Sequence, residues 1–222
     1  MEVRLCAEVD CCAFLPFCPL TLSAVGRGFP IRLAFEHAKI AYEDVRLTFP
    51  TFNEKKAGYP FAAVPVLRVK DADGERVYNQ SNAILRFVGR KAGLYPSDEV
   101  HAFQVDEILD AVEDVTNAMS PSISEKDEAV KAEMRKTLAT TTFPRYLKGI
   151  EEQLTANGPG PFAVGGEVTI ADFKLYSMVR HLSSGVLDGI PKDIVDAYPR
   201  TLGVFKAVAE LQLVKDHLEK HA

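Results

Sequence analysis

The sequence lacks any run of about 20 apolar residues, the length that a membrane-spanning helix requires. It also lacks an excess of positive charge, because 26 lysines and arginines are outnumbered by 31 aspartates and glutamates, for a net charge of −5. A nucleic-acid partner therefore has no electrostatic support, and we expect no membrane partner. Hydrophobic residues make up 47% of the 222 residues, which is enough for one large core or two modest ones.

Cysteine is absent after position 18. The four cysteines are Cys6, Cys11, Cys12 and Cys18, and their spacing does not match that of zinc ligands. The apolar stretch 11–25 is similar to a signal peptide, but acidic residues stand ahead of it where a signal peptide carries positive charge. We therefore interpret residues 1–18 as an N-terminal extension with reduced cysteines. Reduced cysteines indicate the cytosol, and we expect no metal site.

The first half of the chain alternates between strand and helix patterns. Residues 64–69 and 75–78 read as a hairpin, because the turn sequence Asp-Ala-Asp-Gly joins them at 71–74. The full order is strand, helix, strand, loop, strand, strand and helix, at residues 19–25, 29–40, 42–47, 49–61, 64–69, 75–78 and 81–92. This order predicts an α/β thioredoxin-like domain with a mixed four-stranded sheet over residues 19–93.

Strand patterns are absent after residue 96, and long helical patterns replace them. The first pattern carries apolar residues at helical spacing, namely Val105, Ile108, Leu109, Val112 and Val115. A later pattern is broken near Pro144, whose ring interrupts a helix interior. The predicted helices occupy residues 98–119, 124–154, 169–182 and 192–218. We therefore predict an all-α domain over residues 97–222.

Two short runs of residues contain candidate ligand-binding groups. Gly-Tyr-Pro-Phe-Ala-Ala-Val-Pro-Val-Leu occupies residues 58–67, and Asn-Gln-Ser-Asn-Ala-Ile-Leu-Arg-Phe occupies residues 79–87. Ser81 stands at a predicted helix N-terminus, whose N–H groups and positive end attract a carboxylate. Simple helix capping by Ser81 is the alternative. Together the two runs resemble the glutathione S-transferase family, most closely its sigma class, over residues 19–218.

The resemblance implies a glutathione site built from both runs. Pro65 corresponds to a cis-proline of the family, which presents the backbone N–H and C=O of Val64 to the cysteinyl main chain of glutathione. A plain strand start with a trans proline is the alternative. Gln80 and Ser81 correspond to the pair that binds the γ-glutamyl group.

Four further positions follow from the same resemblance. Lys56 corresponds to a lysine that binds the glycyl carboxylate, and Arg27 to an arginine that precedes the first helix. Phe52 stands where the family has a tryptophan. This sequence has no tryptophan, and phenylalanine cannot donate the indole hydrogen bond. Asp106 corresponds to an aspartate that contacts the glutathione of the partner subunit, with a solvated acidic helix face as the alternative.

One motif in the second half is structural. Thr169 and Asp172 have the spacing of a capping box, which the family also carries. Val168 and Phe173 stand where a hydrophobic staple would pack against the same helix end. We expect no catalytic role for Asp172.

The sequence departs from the family at the first strand, where sigma-class members carry a tyrosine that stabilises the glutathione thiolate. Thr21 and Ser23 are the hydroxyl candidates by two alternative alignments, and we favour Ser23. A cysteine mechanism is the rival, because Phe17-Cys18-Pro19-Leu20 resembles a segment of thiol-transferase members. However, a predicted strand and loop separate Cys18 from the first helix, whose positive end would lower the pKa of the thiol.

The resemblance thus implies a cytoplasmic, homodimeric transferase with a role in detoxification. Its co-substrate would be glutathione, and its second substrates small, mostly apolar electrophiles. A non-catalytic structural or binding relative is one alternative, since the tyrosine and the tryptophan are missing. A glutathione-dependent thiol reductase or isomerase is the other.

Overall fold

The structure, a computed structural model, describes residues 2–6, 26–71 and 74–221. The chain divides into two compact units. The described parts of Met1–Tyr95 and Gln212–Ala222 form the first unit, and Pro96–Leu211 forms the second. Within the described residues, no helix is both long and apolar enough to traverse a lipid bilayer.

The first unit is a thioredoxin-like α/β fold with a small sheet. Its strands are β1 (Glu2–Cys6), β2 (Val66–Asp71) and β3 (Gly74–Tyr78), in the order β1–β2–β3. Both strand pairs are antiparallel, with Val3 opposite Val69 and Leu67 opposite Tyr78. The described part of the sheet therefore has three antiparallel strands, and the mixed four-stranded sheet stays a prediction. The predicted strand at residues 19–25 lies outside the described residues.

The described part of the first unit before residue 95 contains three α-helices, namely α1 (Phe29–His37), α2 (Phe49–Lys55) and α3 (Ser81–Ala92). The bounds of α3 are those predicted. Helices α1 and α3 pack against each other. Phe29, Ile31 and Leu33 on α1 are fully buried, as is Val88 on α3. Burial of each such side chain contributes about 1.5–3 kcal/mol, so this helix pair is a main part of the core of the unit.

The predicted strand at residues 42–47 is wrong. This segment forms no strand in the described structure, and side-chain contacts hold it instead. The Tyr42 hydroxyl donates to Glu36 Oε1 at 3.1 Å, and Arg32 Nε donates to Asp44 Oδ1 at 2.9 Å. The segment that we predicted as a strand is therefore held by side chains that bind helix α1.

Two other segments also differ from the sequence prediction. The predicted loop 49–61 contains α2 and two short 3₁₀ helices, Lys56–Gly58 and Pro60–Ala62. Thr48 caps α2 by accepting a hydrogen bond from the Thr51 N–H at 3.4 Å. Residues 2–6, which we expected in an extension, form a strand of the sheet.

The second unit is helical. Its helices are α4 (Glu99–Ser124), α5 (Glu128–Thr137), α6 (Phe143–Ala156), α7 (Ile170–Leu182) and α8 (Pro199–Ala209). A π-helical turn, Leu138–Thr142, joins α5 to α6, so the predicted helix at 124–154 is interrupted just before Pro144. Helix α7 is buried along nearly its whole length, and α4 and α8 pack against it.

Helix α4 continues five residues beyond its predicted end at 119, past Pro121. Hydroxyl groups in this turn donate to backbone carbonyls: Ser120 Oγ to Thr116 at 2.9 Å and Ser122 Oγ to Met119 at 2.8 Å. These bonds occupy carbonyl oxygens around the position where proline removes a backbone donor.

A last helix, α9 (Gln212–Lys220), belongs to the first unit. His217 of α9 is buried, and its Nδ1 lies 2.8 and 2.9 Å from the two carboxylate oxygens of Glu36 on α1. Its ring also meets that of Phe29 edge-on, with ring centroids 5.2 Å apart. Side-chain contacts with α1 therefore attach α9 to the first unit.

Candidate functional site

The Val64–Pro65 peptide bond is cis, as the resemblance implied. Pro65 is buried, and Val64 is half-buried at the start of β2. Within the described residues, the backbone N–H and C=O of Val64 have no hydrogen-bond partner, although the carbonyls on either side of it do. An extended peptide could therefore pair with Val64 as an added strand would.

The second run of residues forms the N-terminus of α3. Ser81 is the first helical residue and is 9% exposed, and the side chain of the N-cap residue Gln80 makes no capping hydrogen bond. Gln80 precedes it with φ 76° and ψ 102°, a backbone conformation that residues with a Cβ rarely adopt. A helix N-terminus of this kind attracts a carboxylate through its N–H groups and its positive partial charge.

Asn79 connects these two places. Its Nδ2 donates to the carbonyls of Ala63 at 2.7 Å and Pro65 at 3.2 Å, and its Oδ1 accepts from the Gln80 N–H at 2.6 Å. One side chain thus ties both backbone groups that flank Val64 to the residue that opens α3. The sequence prediction did not include this role of Asn79. The available signal was an asparagine directly ahead of a helix, where its amide can bind nearby backbone.

The structure places Phe52 and Lys56 on either side of the end of α2. Phe52 is half-buried and packs against a small apolar cluster, together with Val64. The cluster consists of Leu47, Tyr59 and Val66. Phe52 therefore supports the Val64 segment by packing. Lys56 is exposed on the 3₁₀ helix that follows α2.

Arg27 lies in the turn that leads into α1 and is half-buried. Thr21 and Ser23, the hydroxyl candidates, lie outside the described residues, and so does Cys18. The predicted group that activates the thiol is therefore not among the residues that the structure describes.

Asp106 lies on α4 in the second unit and is half-buried. Farther along the same helix, Glu113 accepts a hydrogen bond from Lys174 Nζ at 2.7 Å, and Lys174 is 4% exposed. Part of the acidic face of α4 therefore forms a partly buried ion pair and is not simply solvated.

The capping box of α7 is present, as predicted. Asp172 is fully buried and accepts hydrogen bonds from the Ala163 N–H at 2.6 Å, the Thr169 N–H at 2.7 Å and the Thr169 hydroxyl at 2.8 Å. Burial raises the pKa of the Asp172 carboxyl to about 6, although these hydrogen bonds act to lower it. The residue holds the loop and the helix start together.

Comparison with known proteins covers both halves of the chain. The family profile for the glutathione S-transferase N-terminal domain matches residues 29–91, and that for the C-terminal domain matches residues 113–221. The chain is 32% identical over 195 residues to chicken (Gallus gallus) hematopoietic prostaglandin D synthase, covering 88% of this chain and 91% of the relative.

Two further proteins are similar to this chain. Glutathione S-transferase S1 of Drosophila melanogaster is 29% identical over 191 residues, covering 86% of this chain and 73% of the relative. The solved structure of the Fasciola hepatica sigma-class enzyme matches with a TM-score of 0.79 and 22% identity, covering 100% of this chain and 97% of that one. At that identity, the structure supports the fold alone. The matches to both domain profiles and to the chicken relative show that this chain belongs to the glutathione S-transferase family.

Proposed function

We propose that this protein is a glutathione transferase, which binds glutathione and transfers its thiolate sulfur to small, mostly apolar electrophiles. The role would be detoxification in the cytoplasm, and the active form would be a homodimer. Family membership supports the reaction class. We propose the cellular role, the location and the homodimer because they are typical of the family. Glutathione acts as the co-substrate.

The observation that carries the proposal is the linked pair of backbone sites in the first unit. The Val64 N–H and C=O beside the cis-proline can pair with the cysteinyl main chain of the tripeptide. The start of α3 at Gln80 and Ser81 can take the γ-glutamyl carboxylate. Asn79 hydrogen-bonds to both places, so the two subsites have a fixed separation.

Three other residues have proposed roles in the same pocket, and Asp106 has one in the pocket of the partner subunit. Lys56 would attract the glycyl carboxylate, and Arg27 would add positive charge near the start of α1. Phe52 would act through packing beneath Val64, since its ring has no donor for a hydrogen bond. Asp106 would reach the α-amino group of the glutathione bound by the partner subunit.

The chemical step requires an ionised thiol. A thiol with a pKa of about 8.5 is only a few per cent ionised at pH 7, and lowering that pKa by about two units requires about 2.7 kcal/mol of stabilisation. A neutral hydroxyl supplies about half of this by donating a hydrogen bond. We propose Ser23 as that donor and Thr21 as the alternative, with Arg27 and the start of α1 supplying the remainder. Holding the thiolate beside its target then provides most of the rate enhancement.

A calorimetric titration with millimolar glutathione tests binding, and turnover of a chloro-nitroaromatic substrate tests catalysis. Gln80→Ala should weaken glutathione binding, while the matched control Gln153→Ala, an exposed glutamine on α6, should not. Ser23→Ala should abolish turnover and leave binding intact, whereas Thr21→Ala should leave both turnover and binding unchanged. Binding without turnover in the unmodified protein would support the non-catalytic alternative, and absence of binding would refute the proposal.

Isomerisation is the second candidate, because the relative with the higher identity reported above is named a prostaglandin D synthase. The same thiolate serves both reactions: in isomerisation it attacks the substrate and is later released. Incubation with a prostaglandin endoperoxide and glutathione, followed by product analysis, separates the two functions. A rearranged product without glutathione consumption indicates isomerisation, and a glutathione conjugate indicates transfer.

A further inference from the structure

Three potential metal ligands converge in the first unit. Glu36 lies on α1, His217 lies on α9, and His221 follows the end of α9. Each offers one ligand atom, and these atoms all lie within 4.8 Å of one another. The two histidines are four residues apart, so they stand one above the other on the same side of the helix end. The rings of His217 and His221 have their centroids 4.6 Å apart.

We propose that Glu36, His217 and His221 bind a zinc ion, which links α9 to α1. Two imidazole nitrogens with one carboxylate oxygen are a common zinc ligand set, and water completes the tetrahedron. Calcium and magnesium prefer oxygen ligands throughout, so the two histidines disfavour them. This proposal reverses our expectation from the sequence that the chain has no metal site.

The surroundings suit a metal-binding carboxylate. The Tyr42 hydroxyl donates to Glu36 Oε1 at 3.1 Å, which orients the carboxylate as outer groups do around metal ligands. His217 is buried, and its Nε2 has no hydrogen-bond partner within the described part of the chain. The only hydrogen bonds that the structure gives its imidazole thus go to the carboxylate.

Zinc binding would require a small local adjustment. In a tetrahedral site with bonds of about 2.0–2.1 Å, donor atoms stand about 3.3 Å apart. The contacts of 2.8 and 2.9 Å between Glu36 and His217 would therefore open slightly, and the half-buried His221 would turn inward. If zinc binds at Nδ1, it replaces the proton that this nitrogen shares with the carboxylate, and that proton is released.

The test uses the full-length protein, freed of metal with a chelator and kept without glutathione, because thiols bind zinc. Zinc chloride is added in competition with a fluorescent zinc indicator, and Tm is measured with and without zinc. We expect one zinc per chain and a higher Tm on binding. His221→Ala should weaken zinc binding about tenfold or more, and Tyr42→Phe should weaken it about tenfold by removing the outer hydroxyl. His101→Ala, which removes a histidine from α4, is the matched control and should bind zinc as the unmodified protein does.

Cobalt(II) distinguishes this site from the cysteines near the N-terminus. Binding at Glu36 and the two histidines should give visible absorption bands without a thiolate-to-cobalt charge-transfer band. Absence of zinc binding would overturn the proposal. A thiolate band in the cobalt spectrum would assign the metal to the cysteines, and zinc affinity unchanged in His221→Ala would assign it to some other site; either result would overturn the proposal.

Discussion

Replacement of Asn79 with aspartate should weaken glutathione binding while leaving the fold intact. The change is nearly isosteric and keeps the Oδ1 acceptor for the Gln80 N–H, which lies 2.6 Å away. It removes the Nδ2 donor to the carbonyls of Ala63 and Pro65, at 2.7 and 3.2 Å. A carboxylate oxygen would then face two carbonyl oxygens, and this repulsion would shift the segment around Val64 away from α3.

The magnitude follows from the two bonds lost. A hydrogen bond contributes about 1 kcal/mol net, so the loss of two gives about 2 kcal/mol. If this energy appears in binding, the dissociation constant of glutathione rises on the order of 30-fold, since 1.4 kcal/mol corresponds to tenfold. Asn79→Ala, which also loses the bond to Gln80, should show at least the same loss.

The assay measures the Kd of glutathione by calorimetry, the KM values of both substrates, and Tm. Asn157→Asp is the matched control, because Asn157 also donates from Nδ2 to a loop carbonyl, that of Ala163 at 3.2 Å. The control should lower Tm without changing the Kd of glutathione. If Asn79→Asp changes Tm as the control does but leaves the glutathione Kd unaltered, then Asn79 has no positioning role and the reasoning fails.

Three further predictions concern stability. Burial raises the pKa of the Asp172 carboxyl from 3.8 to about 6. The protonated carboxyl therefore stabilises the fold, and this contribution is complete below pH 3.8 and is lost as the pH rises through 6. In thermal unfolding, the Tm of Asp172→Asn should not show this fall with rising pH. Ser122→Ala leaves the buried Nε of Arg135, 2.7 Å from the hydroxyl, without its acceptor. Urea unfolding should show a loss of about 1–3 kcal/mol, and an unchanged midpoint would contradict it. Glu151→Ala removes the acceptor of the Thr201 N–H and hydroxyl, both at 2.8 Å, and should cost about 1–2 kcal/mol in the same assay; full stability would rule out capping of α8 by Glu151.

Elements with strong local signals could be predicted from the sequence. Helix α3 has the predicted bounds, because Ser81 marks its start and Gly93, in the left-handed conformation, marks its end. The capping box of Thr169 and Asp172 marked the start of α7 in the same way. Helix α2 was missed although Thr48 and Pro50 form a helix start, because the many polar and aromatic residues around them read as a loop.

Elements that depend on distant partners could not be predicted. Strand β1 alternates between polar and apolar residues, but only its pairing with β2, more than sixty residues away, distinguishes it from an extension. Helix α9 has an ordinary amphipathic pattern, and nothing local indicates that His217 contacts Glu36. The role of Asn79 likewise depends on a contact between the turn before β2 and the start of α3, because the carbonyls that Asn79 binds are 16 and 14 residues away in the sequence.

The attachment of α9 to the first unit has a consequence for synthesis of the protein. The ribosome releases a chain from its N-terminus, so early domains usually fold while later ones are still being made. Here α9 is synthesised only after all of Pro96–Leu211, so it cannot contact Phe29 on α1 until those residues have left the ribosome. The nascent first unit therefore carries an uncovered apolar edge for most of translation, and a ribosome stalled within the helical unit would leave that edge exposed.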